Sequence, residues 1–331
     1  MSRLLCFGEM LVRLTAPAGE MLLQTPQLSA HIGGAEANVA ICVSRLGGNA
    51  AMATVLPDNP LGRAARDELR RHGVDVAHLQ FAPGRMGLYF LTPGAVTRAP
   101  EIIYDRSGSA FAAIAPGDID WRMTLKDTDW LHVSGITPAV SQTAGEAALA
   151  ATATAASANV KICFDGNYRS KLWEARGESG QAILKQMLEK ATLAFIDERD
   201  ISLVLGRNAG DRKASAQAAF EAFPTLRMIA ATTRETRGVN DYALGATLFT
   251  RAKAYEQPAI ALPGVVDRIG GGDAFAGGFL YALMQGMPEG DALAFALHSA
   301  AAKHGQLGDA SHASAADIRG LMAGGGLDVR R

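Results

Sequence analysis

The stretch Asp267-Arg-Ile-Gly-Gly-Gly-Asp-Ala-Phe275 runs three glycines into an acid, and "DAFAGGFLYALMQG" (273–286) follows with apolar residues at helical spacing. Glycine is entropically costly and is found where backbone must bend unusually or let a ligand come close. A helix N-terminus offers unpaired N–H groups and the positive end of a dipole, so Gly270, Gly271 and Gly272 could cradle an anion. Asp273 at that entrance has two readings. It could cap the helix, or it could stand beside a bound phosphate and take a proton from an incoming hydroxyl. Spacing removes two better-known phosphate loops. A dinucleotide fingerprint fails because its third glycine falls on Phe275, and a Walker A loop fails because the chain has no Gly-Lys pair. An anion hole and a capped tight turn both remain open at this point.

A second glycine pair, Gly33-Gly34 in "GGAEAN" (33–38), also precedes a helical run and carries Asn38 as a polar handle. A third cluster, "DGNYR" (165–169), closes a strand-like run and presents Arg169, a side chain suited to bidentate contact with phosphate or carboxylate. The elements that must position these clusters alternate along the chain. Runs at 4–9, 50–56, 130–135, 160–166, 193–198 and 227–233 read as buried strands. Runs at 35–47, 59–73, 143–158 and 181–191 read as helices. This alternation predicts an α/β fold, a doubly wound and mostly parallel sheet with helices on both faces. In such sheets ligands bind outside the carboxyl ends of the strands. Two stretches, about 11–31 and 86–106, break the alternation and read as a small extra β structure, either a lid over a cleft or an edge hairpin. The last residues, "AGGGLDVRR", read as a loose tail.

The 331 residues, 48% hydrophobic and 20% charged, suffice for a sizeable core. A net charge of −1 gives no basic footprint for nucleic acid. Cys6, Cys42 and Cys163 show no metal-ligand spacing and read as buried thiols. With no signal-like N-terminus and no apolar run of membrane length, a cytoplasmic protein without a membrane partner is expected.

Taken together and in this order, "GGAEANVA", "DGNYR" and "DRIGGGDAF" resemble the ribokinase/PfkB family of sugar kinases over nearly the whole chain. The last motif is similar to the family's D-T-x-G-A-G-D signature, with Arg268 and Gly271 as variants. The resemblance implies a single ribokinase-like domain with a β lid, ATP as phosphoryl donor, and Mg2+ with the nucleotide. A monovalent cation and a homo-oligomer are further candidates. It also implies that Asp273 is the general base and that the amides of Gly270, Gly271, Gly272 and Asp273 form the anion hole. Shorter stretches, "IIYDRSGSA" and "LHVSGITPA" among them, resemble the branch that phosphorylates 2-keto-3-deoxygluconate at its terminal hydroxyl. By that likeness Gly33, Gly34, Asn38, Tyr89, Tyr104, Arg106, Ile136 and Arg169 would meet the sugar acid, with Arg106 and Arg169 pairing with its carboxylate. Arg13 is a further charge that would favour an acid, or else a solvated one.

The nucleotide side departs from the family pattern. The N-x-x-E stretch reads "DERD", so Asp197 and Asp200 would serve Mg2+ through water. The G-x-x-G nucleotide loop reads "ETRG" (235–238), with Glu235 in place of the first glycine. Thr233, Gly238, Gly270 and Gly272, with Asp197, would line the nucleotide. The rival expectations are a kinase for another sugar, such as fructose, and a non-catalytic sugar-acid sensor on the same fold.

Overall fold

The computed structural model describes residues 2–324, and the expected tail falls mostly on 325–331, outside the described residues. Short aliphatic runs punctuated by glycine or acid become strands β1 (Arg3–Phe7), β2 (Leu11–Thr15), β3 (Ser29–Gly33), β4 (Asn49–Pro57) and β5 (Asp75–Ala82). They continue with β6 (Gly87–Thr92), β7 (Glu101–Asp105), β8 (Trp130–Ser134), β9 (Lys161–Asp165) and β10 (Leu193–Phe195). Strands β11 (Met228–Gly238), β12 (Asp241–Thr250) and β13 (Ala254–Pro263) complete the set.

A nine-stranded sheet has the order β13-β12-β11-β10-β9-β8-β1-β4-β5. Its strands run parallel from β5 to β11, and only the β11–β12 and β12–β13 pairings are antiparallel, so β12 alone is reversed. Burial on both faces explains the near-continuous apolar strands. On β1, Leu4 and Cys6 point into one core, with helices Ala35–Arg45 and Gly271–Met284. Leu5 and Phe7 point into the other, with helix Gln142–Ser157. The strand order reverses between β1 and β8, which fixes the crevice where such sheets take ligands.

The expected strand runs become β1, β4, β8, β9, β10 and β11, and the two irregular stretches form a separate four-stranded sheet of order β3-β2-β6-β7. Its register places His31, Arg13, Tyr89 and Tyr104 in one cross-strand row, and so on one face. One expectation is corrected. The "ETRG" segment is no loop but the end of β11, paired through Thr236 with β12. All three cysteines are buried free thiols, and no described helix is long and apolar enough to cross a membrane.

Candidate active site

Several elements end on one rim. Strand β1 delivers Glu9, β8 delivers Ile136, and β9 delivers Asp165, Asn167 and Arg169. Strand β3 passes through Gly34 into helix Ala35–Arg45, and the loop 264–270 opens helix Gly271–Met284. Close approach dictates both glycine clusters. A Cβ on Gly34 would overlap the carbonyl oxygen of Glu9, and one on Gly270 would overlap that of Asp309. Gly270 also adopts φ 79°, in the left-handed region, and caps the helix. Asp273 is therefore not the cap. It is the third residue of the helix, and a Cβ on the neighbouring Gly272 would meet nothing within 4 Å, so the backbone there is open to a ligand.

The side chain of Asp273 is aimed by Asn38, which is buried rather than on a helix surface. Asn38 Nδ2 donates to Asp273 Oδ2 at 2.6 Å, while Asn38 Oδ1 accepts from the Gly34 N–H at 3.4 Å, which fixes the amide's orientation. Burial pushes the Asp273 carboxyl up to about 7, with the negative charges of Glu36 and Asp309 adding to it. The Asn38 hydrogen bond and Arg169 oppose that rise. A carboxylate poised near neutrality is suited to general-base work. Burial also raises Asp165, to about 8, with Asp273 and Asp200 contributing. Glu36, missed in the sequence, is buried where its Oε1 accepts from Ser134 Oγ at 2.7 Å and Thr137 Oγ1 at 2.8 Å.

Gly34, Asn38, Tyr89, Tyr104, Ile136, Arg169, the three glycines and Asp273 all line one cavity of about 670 Å³. Gly33 does not; it packs against the Asp309 side chain, where a Cβ would not fit. Arg106 is also off the lining. It is buried, with Nε donating to Glu9 Oε2 at 2.7 Å, Nη2 reaching the same oxygen, and Nη1 left without a partner. Ser109 Oγ donates to the other Glu9 oxygen at 2.5 Å. Arg13 is neither solvated nor at the cavity wall. It is buried, with Nη2 donating to Asp267 Oδ2 at 2.7 Å and Nε 3.2 Å from Asp309 Oδ1. Tyr89 bridges this pair to the cavity by donating to Asp309 Oδ2 at 2.5 Å. The acids Glu9, Asp165, Asp267 and Asp309 had no assigned role in the sequence, although each directly follows a strand or flanks a glycine motif.

Across Gly271 and Gly272 lies a second cavity of about 600 Å³, reached by Asp197, Thr233, Arg234 and Arg268. Gly238 is not on its lining but on an adjoining recess of about 340 Å³ with Val239 and Tyr242. Asp197 and Asp200 form a reciprocal cap on helix Glu198–Leu205: Asp197 Oδ1 accepts from the Arg199 and Asp200 N–H groups, and Asp200 Oδ2 from that of Asp197. Burial lifts Asp200 to about 6, with Asp197 adding to it. Among the described residues no three His, Cys, Asp or Glu side chains converge on a metal position. Beside the glycine loop, the buried Lys303 Nζ donates to the carbonyls of Gln306 at 3.0 Å and Asp267 at 3.5 Å.

A doubly wound sheet with an open helix mouth, a poised carboxylate and a small sheet beside the cleft defines an α/β sugar-phosphorylating enzyme. The model of the pfkB family of carbohydrate kinases matches residues 1–316, and the chain belongs to that family. It is similar to the 2-dehydro-3-deoxygalactonokinase of Haloferax volcanii, 34% identical over all of this chain and 99% of that one. It is also similar to the 2-dehydro-3-deoxygluconokinase of Thermoproteus tenax, 29% identical over 93% of this chain and 90% of that one. Among solved structures, the 2-dehydro-3-deoxygluconokinase of Thermotoga maritima superposes with a TM-score of 0.91 at 30% identity, over 98% of this chain and all of that one. A pfkB family carbohydrate kinase from Listeria grayi superposes with a TM-score of 0.93 at 34% identity, over 97% of this chain and all of that one.

Proposed function

We propose that this carbohydrate kinase moves the terminal phosphoryl group of ATP to the terminal hydroxyl of 2-keto-3-deoxygluconate, giving 2-keto-3-deoxy-6-phosphogluconate. The observation that carries this reading is Asp273, held by Asn38 on the lining of the larger cavity and next in the chain to Gly272, which lines both cavities. In this reading the 670 Å³ cavity takes the sugar acid and the 600 Å³ cavity takes the nucleotide. Asp273 receives the hydroxyl proton as the sugar oxygen attacks, and the amides of residues 270–273 stabilise the phosphoryl in transit. Arg169 on the rim pairs with the sugar carboxylate, and Tyr89 and Tyr104 contact the hydroxyls, while Arg106, held by Glu9 off the lining, takes no part in this contact. The four-stranded sheet serves as the lid.

Asp197 and Asp200 suit Mg2+ held through water: both carboxylates are engaged in the helix cap, and Mg2+ usually keeps several waters and arrives with the nucleotide. Bound there, the ion would neutralise charge on the polyphosphate. A monovalent cation is left out of the reading, because the carbonyls of Asp267 and Gln306 beside the loop already hold the Lys303 ammonium.

The similarity to a galactonate-directed relative over the whole chain supports the C4 epimer as a second substrate. A coupled ADP-release assay with both epimers, fructose, ribose and no sugar tests the reading. Turnover with either keto-acid is expected. Turnover with fructose alone would overturn the substrate assignment, and saturable sugar-acid binding without turnover would point to a sensor.

A further inference from the structure

Arg234 on β11 and Arg268, two residues before Gly270, line both large cavities where these meet over Gly271 and Gly272. Among the described residues neither has an ion-pair partner, whereas the neighbouring Arg212 and Arg237 lie 3.2 Å from Glu198 and 3.3 Å from Glu235. Alternation along β11 sends Glu235 away from Arg234, toward Arg237, while Thr232 and Thr236 join Arg234 at the nucleotide-side cavity. The Arg234 guanidinium lies 5.8 Å over the Tyr242 ring, which in turn meets the edge of His304 at 5.2 Å. The ring behind Arg234 thus offers it no carboxylate. Partial cover by the cavity wall and the charge of Arg268 both push Arg234 below the usual arginine range, the sign expected of two cations held close without an anion.

Two unpaired guanidiniums beside open helix amides, at the junction of a sugar cavity and a nucleotide cavity, have one chemical complement: a multiply charged phosphate. We propose that Arg234 and Arg268 are catalytic residues that clamp the transferring phosphoryl group and the adjoining β-phosphate of the nucleotide. This rests on the kinase reading above. The sugar oxygen forms the new P–O bond and its proton goes to Asp273. The bond from phosphorus to the bridging oxygen breaks, its electron pair leaving on ADP. Charge on the equatorial oxygens is then shared between the glycine amides and two bidentate forks. The nearby Glu235 does not oppose the nucleotide, because it pairs with Arg237 on the opposite strand face.

Arg234→Ala and Arg268→Ala test this in the full chain, since both side chains are exposed and neither substitution breaks an ion pair. The expected result is a fall in kcat of about 10²–10³-fold, with KM for the sugar acid changed less than about threefold. Calorimetry should show a tenfold or greater loss of affinity for a non-hydrolysable ATP analogue and unchanged affinity for AMP. Lysine at either position should restore part of the kcat. A kcat within about twofold of wild type in both variants would overturn the clamp. So would a loss confined to sugar-acid KM, which would assign the arginines to the substrate carboxylate. Failure of the kinase reading shows separately, as wild-type protein that releases no ADP with any sugar. In that event the analogue-versus-AMP titration decides on the clamp by itself.

Discussion

The two cavities that meet at Gly271 and Gly272 are built on opposite electrostatic plans. The sugar-side wall is backed by buried charges that satisfy one another: Glu9 with Arg106, Arg13 with Asp267 and Asp309, and Glu36 with two hydroxyls. The nucleotide-side wall mixes helix, strand and loop residues, and its arginines are half-buried or exposed and pair loosely or, among the described residues, not at all. Buried pairs pre-set a shape and are costly to break, whereas exposed charges stay free to follow a ligand. The contrast separates a recognition surface fixed by folding from one completed by what binds.

Four tests would break or sharpen this contrast. The largest effect is expected from Asp273→Asn, which keeps the Asn38 contact but removes the base: kcat should fall about 10²–10⁴-fold with substrate affinities retained. A steady-state assay that found less than a tenfold loss would take Asp273 out of the chemistry. Next, urea unfolding should show Arg106→Ala losing about 3–5 kcal/mol, because Glu9 is left buried with only Ser109 beside it. Arg212→Ala, across the divide, should lose less than about 1 kcal/mol. Equal losses would erase the distinction.

The third concerns pH. With Asp273 near 7, kcat/KM should rise with pH through that value as the base deprotonates, and Asn38→Ala should move this limb upward, since the lost hydrogen bond favoured the charged form. The sign for stability is opposite. Asp165, Asp200 and Asp273 all titrate above the ordinary carboxylate range, so the folded state binds more protons than the unfolded chain. Their contribution is full below about pH 4 and is lost as pH rises toward about 8. Melting scans of Asp273→Asn should show a flatter decline than wild type. The smallest effect belongs to Glu235→Gln. Its side chain is 68% exposed and paired with Arg237, so KM for ATP should change less than twofold.

The same divide marks what could be read from the chain. The sugar side was legible because each of its clusters is a short glycine or acid motif at the end of an apolar run, and chain order then places those ends on one edge. Tyr89 and Tyr104 come from the family resemblance alone, and their place in one cross-strand row appears only with the strand register. Arg13 and Arg106 illustrate what was not legible: a charged residue in a strand or just past its end does not reveal whether it faces ligand or a buried acid contributed by a distant segment. Glu9 lies 97 positions from Arg106, and Asp267 lies 254 from Arg13. On the nucleotide side, β12 escaped because "YALGATLF" mixes alanine and glycine into a strand whose burial comes from helix Glu289–His304 packing on it. Without β12, "ETRG" looks like a loop.

The small sheet is joined to the rest of the molecule in an uncommon way. Gly34 alone separates β3 from the helix that carries Asn38, while Tyr89 and Arg13 fasten β6 and β2 to Asp309 and Asp267 on the far side of the cleft. A flap hinged at one edge could swing without disturbing what lies beneath it. This one is anchored to both walls, so a tilt of the sheet would turn the start of the Asn38 helix and pull on the loop leading into Gly270 together.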